Sequence, residues 1–271
     1  MKTRKQSANR EQSNLGLPIE YQQLPEYFDA HNINEQTEAK NALIEKILRE
    51  HNVKTVLDMT CGTGSQVFYL TEHGYEIVGN DFSPALIESA RNKAKAMNRD
   101  IVFLNGDMRT VKVGKFDAVI TIFSAIGHVS KADFELTLQN VRDNLKDDGI
   151  YIFDIFNLQA ITEEIIKNFV MDIESEVNGV KFYNHQYSEL DREKGLLISH
   201  DKYTIMKPNG KPETRLNTFS LQIYTSQELQ ILLDKNGFEV LSQYDMEGCA
   251  FDPETSLNVL TVAKKRNDIF I

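Results

Sequence analysis

Residues 56–70, VLDMTCGTGSQVFYL, run from an apolar stretch through two glycines spaced by one residue and into a second apolar stretch. A short apolar run that breaks at glycines and resumes with helical spacing reads as strand, turn and helix. The neighbours extend that pattern in both directions. Upstream, TEAKNALIEKILREH (37–51) places Ala39, Leu43, Ile47 and Leu48 on one helical face and feeds the strand VKTVLDM (53–59). Downstream, the helix opened at Gly62 ends at Gly74, and YEIVGND (75–81) is the second strand. Ser83 is then an N-cap, with Pro84 at the first helical position and Leu86, Ala90, Ala94 and Met97 on the apolar face. IVFLNGD (101–107) and FDAVITIF (116–123) supply strands three and four, and Phe134, Leu138, Val141 and Leu145 stripe the helix before IYIFDIF (150–156). Alternating strands and helices with short connections predict an α/β fold around a doubly wound, mostly parallel sheet.

After the fifth strand the pattern changes. Segments near 170–177, 180–189, 196–206 and 214–224 are β-rich, with Asn178-Gly179 and Asn209-Gly210 between them as turns that need positive φ. They predict an inserted four-stranded antiparallel sheet over residues 169–224, serving as a lid or a dimer interface. TSQELQILLDKNGF then carries a capping box from Thr225 to Glu228 and a terminating Gly237. FEVLSQYDM and LNVLTVAKK, with no helix pattern between them, are an antiparallel pair that completes seven strands. The α/β domain thus spans residues 21–168 and 225–271. Residues 1–16 are polar and basic with few apolar side chains, and a disordered tail is drawn over residues 1–20.

The chain has 271 residues, 41% of them hydrophobic and 26% charged, and no apolar run approaches the ~20 residues that span a bilayer. A membrane protein is excluded on that count. Two cysteines, Cys61 and Cys249, are too few for a disulfide framework, which points to a reducing cytoplasm. A net charge of −10 disfavours nucleic acid and anionic lipid and favours small neutral or cationic partners.

Ligands of doubly wound sheets sit beyond the carboxyl ends of the strands, where a glycine turn lets backbone approach closely. Gly62 and Gly64 meet that need, but Val67 stands where a dinucleotide fingerprint has its third glycine. Asp81, ending the second strand 19 residues beyond Gly62, is placed to accept from ribose hydroxyls. Asp107, ending the third strand, can accept from an exocyclic amine, and Phe82 and Met108 offer apolar faces to a flat base. An adenosine fits these strand tips.

VLDMTCGTG, VGNDFS, NGDMRT and FDAVITIFSAIGHV, in that order and spacing, resemble the class I S-adenosylmethionine-dependent methyltransferases over about residues 27–265. GDMR, FSAIGH, the insertion and YTSQELQILLDKNGF are similar to the small-molecule N-methyltransferases that dimethylate amino sugars, and more distantly to glycine N-methyltransferases. The resemblance implies S-adenosylmethionine as methyl donor. It implies that Asp58 and the Thr60, Cys61, Gly62 to Gly64 backbone surround the methionine part, that Asp81 holds the ribose, and that Asp107 and Met108 read the adenine. Phe123 would pass beside the transferred methyl. Tyr27 resembles an N-terminal tyrosine that closes over donor and substrate, although it equally reads as an aromatic pinning the N-terminal segment to the core.

Transfer of a sulfonium methyl needs an in-line, unprotonated nucleophile. His128, just past strand four, can accept the amine's proton or hydrogen-bond the amine, since its ordinary pKa of about 6.5 suits a base near neutrality; the plain alternative is a loop-capping histidine. Asp154 and Asn157, at the tip of strand five, are candidates for binding a cationic or hydroxylated acceptor. No metal is expected, because His31, His73, His185 and His200 lack ligand spacing and carboxylates do not cluster beside the donor. IFSAIGH replaces both the Asp/Asn-Pro-Pro-aromatic motif and the Pro-Cys nucleophile of nucleic-acid methyltransferases. The expectation is a methyltransferase acting on a small molecule at nitrogen. O-methylation, aminopropyl transfer and noncatalytic donor binding are the alternatives.

Overall fold

Alternate residues of the central strands face opposite layers, so a strand such as TVLD can bury both sides only between two sets of helices. The computed structural model of the chain, which describes residues 15–21 and 24–267, has this arrangement. In chain order the elements of the first half are α1 (Phe28–Asn32), α2 (Glu35–Glu50), β1 (Thr55–Asp58), α3 (Ser65–Glu72), β2 (Glu76–Asp81), α4 (Pro84–Ala96), β3 (Val102–Asn105), β4 (Phe116–Thr121), α5 (Lys131–Asn144) and β5 (Leu145–Phe156). α6 (Glu163–Lys167), β6 (Met171–Val177), β7 (Val180–Asp191), β8 (Leu196–Met206), β9 (Glu213–Gln222), α7 (Ser226–Lys235), β10 (Phe238–Tyr244) and β11 (Asn258–Lys265) follow.

Seven strands form one sheet in the order β10-β11-β5-β4-β1-β2-β3. β11 runs antiparallel to both its neighbours, whereas β1 to β5 are parallel. Val56, Ala118, Ile120, Ile152 and Val262 pack with Ile44, Ile47 and Leu48 of α2. Leu57, Val119, Tyr151 and Phe153 face the other way, onto Phe134, Leu138 and Val141 of α5 and Leu229 and Leu233 of α7. The chain leaves β1 toward β2 on one side and finds β4 on the other, so a crevice opens beyond the carboxyl end of β1.

The N-caps Ser83 and Thr225 hold as read from sequence, the latter as a full capping box with Glu228. Two helical faces differ from expectation. Ala39 is exposed, and α2 begins earlier, under an Asn34 cap that forms a capping box with Thr37. Its first turns bury Thr37 and Asn41 beside the crevice instead of an apolar stripe, with Asn41 donating to Ser65 Oγ at 3.2 Å. Met97 is 53% exposed because it falls at the C-cap, past the last packed turn of α4.

The inserted segment forms the second sheet, in the order β6-β7-β8-β9, all antiparallel. The β6–β7 turn has Asn178 and Gly179 at φ 52° and 76°, as that hairpin type demands. The β8–β9 turn does not: neither Asn209 nor Gly210 has positive φ, and Gly210 N–H closes an ordinary reverse turn on Lys207 O at 3.1 Å. The longer loop there removes the need for a left-handed pair.

Residues 1–14 of the expected tail lie outside the described residues. Residues 15–20 do not behave as a solvated tail: Ser220 N–H donates to Leu15 O at 2.6 Å, Asn217 donates to Leu17 O at 3.0 Å, and Ile19 and Glu20 are buried. They occupy the free edge of β9, where unpaired backbone groups need partners. Ile19, Leu24 and Tyr27 then pack against Phe182, Tyr203 and Ile205 on the inner face of the inserted sheet. Among the described residues no helix is long and apolar enough to cross a membrane.

Candidate active site

The turn after β1 is fixed by its glycines. Gly62 and Gly64 have φ of 53° and 94°, and a Cβ would lie 3.0 Å from the Phe28 ring at the first and 2.9 Å from Phe68 at the second. Both backbone conformation and space exclude a side chain. Asn80, buried on β2, donates from Nδ2 to Met59 O at 3.0 Å and Gly106 O at 2.8 Å, tying three strand tips together.

Asp81 lies directly beneath the turn. Its Oδ2 accepts from Gly62 N–H at 2.9 Å and its Oδ1 from Ser83 N–H at 2.8 Å. Burial pushes its carboxyl up to about 6 against the opposing pull of those N–H groups. Asp58 accepts from Thr60 N–H at 3.1 Å, and burial, aided by the charge of Asp81, pushes it up to about 8. Cys61 packs with Val67, Ile87, Ala90 and Phe103, and burial raises its thiol well above the ordinary value, so it fills space in the turn and is no nucleophile.

These groups line one cavity of about 830 Å³, within the ~300–1,000 Å³ usual for small-molecule sites. Asp58, Thr60, Cys61, Gly62, Asp81, Phe82, Asp107, Met108, Phe123 and His128 all reach it, whereas Gly64 acts from behind as the N-cap position of α3. Asp107 arrives already forked by Arg109, with Nε at 3.0 Å from Oδ1 and Nη2 at 2.6 Å from Oδ2. Partial burial raises this carboxyl, but the Arg109 hydrogen bonds and charge outweigh it and hold the group below its ordinary value. Arg109 also reaches Asp133 on α5 at 3.3 Å.

Beyond β4, Phe123 and Ser124 lead into a single 3-10 turn, Ala125–His128. Gly127 in that turn is wedged so tightly that a Cβ would meet Ile155 at 3.0 Å and Leu221 at 3.2 Å. The close approach brings His128 under β9, with its ring 6.1 Å from that of Phe219. Nε2 of His128 lies 3.3 Å from the Tyr21 hydroxyl, while the buried Nδ1 has no hydrogen-bond partner among the described residues. Burial pushes the imidazole down to about 4, so it is neutral at neutral pH.

Three expected site residues lie elsewhere. Tyr27 does not line the cavity: it is fully buried, stacked on Phe182 at 4.7 Å and edge-on to Tyr203 at 5.9 Å. Asp154 and Asn157 are also fully buried and outside the lining. Asn157 donates to Pro253 O and Ser256 O, both at 2.9 Å, and so fastens the loop before β11. Asp154 accepts from Ser124 N–H at 3.3 Å, bracing the turn from behind.

In their place the fold brings Tyr21, Phe28, Arg109, Asn217 and Thr218 to the cavity. Tyr21 is held there by its carbonyl, which accepts from the Ser83 hydroxyl at 2.5 Å. PEYFDAHN offered two aromatics and the preceding IEY a third, with no periodicity to say which faces the ligand. Asn217 and Thr218 come from the insertion, whose register over the cleft only the folded chain defines.

S-adenosylmethionine fits this lining on the structure's own terms. The Gly62 turn leaves the cradle bare where a Cβ would close it, the buried Thr60 hydroxyl oxygen has no partner among the described residues, and Asp81 is held on the Gly62 N–H. Residues 56–149 match the family described as a methyltransferase domain. The chain is 28% identical over 228 residues to an uncharacterized protein of Methanocaldococcus jannaschii, covering 84% of this chain and 78% of that one. It is 34% identical over 140 residues to a glycine/sarcosine N-methyltransferase of Parasynechococcus marenigrum, covering 48% of each. The X-ray structure of a sugar N-methyltransferase from a Streptoalloteichus species superposes with a TM-score of 0.73 at 18% identity, over 89% of this chain and 92% of that chain. The matched methyltransferase domain begins at the strand before the Gly62 turn, and the seven strands in this order have the fold of the class I S-adenosylmethionine-dependent methyltransferases.

Proposed function

We propose that the protein methylates the nitrogen of a small amine by direct in-line displacement, with the insertion roofing the cavity. The observation that carries this reading is the neutral His128 beside Tyr21, on the cavity wall formed after β4. The likeness to glycine and sugar N-methyltransferases supports nitrogen as the acceptor atom.

Bound S-adenosylmethionine supplies an electrophilic methyl on sulfur. Asp58 and the Thr60 to Gly64 backbone are assigned to its methionine part, Asp81 to the ribose hydroxyls, and Asp107, Met108 and Phe82 to the adenine. Phe123 flanks the sulfur side. In the neutral tautomer whose Nε2–H donates to the Tyr21 hydroxyl, which fixes the ring, Nδ1 of His128 is free to accept a hydrogen bond from the amine and orient its lone pair. A neutral imidazole held this far below its ordinary pKa is a weak base, so His128 positions the nitrogen rather than storing its proton. Leu15 to Ile19, Asn217 and Thr218 close the roof and exclude water, which suits a small acceptor better than a polymer.

The two free cysteines, Cys61 and Cys249, support a reducing, cytoplasmic setting. The test is calorimetric binding of S-adenosylmethionine followed by a screen of amines and alcohols for S-adenosylhomocysteine release. Turnover of an amine supports the reading. Turnover of alcohols alone moves the acceptor to oxygen, and donor binding without any turnover makes the protein a binder.

A further inference from the structure

Phe123 and Ser124 are consecutive non-glycine residues with φ of 64° and 57°, a conformation that persists only where the surroundings enforce it. Phe123 is left 40% exposed on the cavity wall, and Ser124 O accepts from Gly127 N–H at 2.8 Å to start the 3-10 turn that ends at His128. Two side chains hold this kink. Asp154 Oδ1 accepts from Ser124 N–H at 3.3 Å, while its buried Oδ2 makes no hydrogen bond among the described residues and faces Lys40 Nζ at 3.8 Å. The same ammonium sits over the Phe123 ring, 4.3 Å from its centre. One cation on α2 therefore contacts both the brace behind the kink and the ring in front of it.

We propose that Lys40 and Asp154 are positioning residues: the ammonium, anchored on a carboxylate inside the sheet, pins the Phe123 ring against the donor pocket and so sets the wall beside the reacting methyl. The placement of the ring stands on contacts within this chain, and its consequence for the donor rests on the function proposed above. Lys40 does not line the cavity, so it acts through Phe123.

The chain contains no tryptophan, so Phe123→Trp introduces a single indole at the kink. Adding Lys40→Met is expected to raise acrylamide quenching of that indole about twofold, because the cation–π contact is lost. Lys40→Arg is expected to restore it. Combining Lys40→Met with Asp154→Asn removes both charges and leaves no unpaired buried carboxylate, yet the quenching should stay high. With Phe123 intact, Lys40→Met is expected to weaken S-adenosylmethionine binding about tenfold, as a displaced wall would. An indole signal unchanged by Lys40→Met in the folded protein overturns the assignment, whatever the donor affinity does. If the indole responds but the unaltered protein binds no donor, the proposed function falls and the positioning stands.

Discussion

The Tyr21 hydroxyl lies 3.3 Å from Nε2 of His128, 107 residues further along the chain, and the two rings meet edge-on with centres 5.3 Å apart. A residue before the first helix thus completes a site built by the strand tips. The other tyrosine of the same segment, Tyr27, instead stacks between the N-terminal segment and the inserted sheet.

The two tyrosines should respond oppositely to substitution. Tyr21→Phe keeps the ring and loses the hydroxyl, so acceptor turnover should fall about tenfold with stability nearly unchanged. Tyr27→Ala empties a fully buried site and should cost ~3–5 kcal/mol in denaturant unfolding. A stable Tyr27→Ala protein would refute the packing role.

Donor binding should release protons near pH 7. Burial, with a smaller push from Asp81, raises Asp58 to about 8, so in the free protein it is largely protonated there. A cationic ligand beside it favours the carboxylate and expels the proton. Calorimetry in buffers of different ionisation enthalpy measures that release, which Asp58→Asn should abolish. Without ligand the sign is opposite to that of a salt-bridged carboxylate. The raised groups bind protons more tightly folded than unfolded, so their stabilisation is complete below about 4 and fades as pH rises toward about 6 for Asp81 and about 8 for Asp58. Melting temperatures of the unaltered protein between pH 5 and 8 should fall more steeply than those of Asp58→Asn.

His128 should be silent across the neutral range. Desolvation lowers it to about 4, so its ring resonances should not shift in an NMR titration above pH 5, and kcat/KM should show no inflection from it there. His128→Asn keeps a hydrogen-bond acceptor and should retain more turnover than His128→Leu, which should lose roughly tenfold or more. A ring titrating near its ordinary value of about 6.5 would restore the general-base role.

The two turns of the inserted sheet should separate under one substitution. Gly179→Ala, at φ 76°, should cost ~1 kcal/mol or more. Gly210→Ala, without positive φ and with only Lys207 Cβ close, at 3.2 Å in an exposed turn that can adjust, should stay within ~0.5 kcal/mol. Equal losses in the two variants would contradict this difference in turn geometry.

Local chemistry alone settled most of the sheet. Two glycines that only a tight turn requires, caps at Ser83 and Thr225, and apolar runs of strand length specify the α/β order, because each depends on residues within a few positions of one another. The same holds for Asp81, whose place at the end of a strand follows from the run before it. Helix faces were less legible where α2 meets the crevice, since Thr37 and Asn41 are buried there by the site and leave no apolar stripe.

Which side chains share the cavity was decided by tertiary structure. Tyr21 and Tyr27 differ by six positions in an irregular segment, so no period assigns them to opposite surfaces; docking on β9 and on the Ser83 cap does. Asp154 alternates along β5 with residues of the core, and only the kink at Phe123 and the reach of Lys40 from α2 turn it from a ligand candidate into a brace. Contacts between residues far apart in the chain depend on how layers close over one another, and a sequence read locally holds no record of that distance.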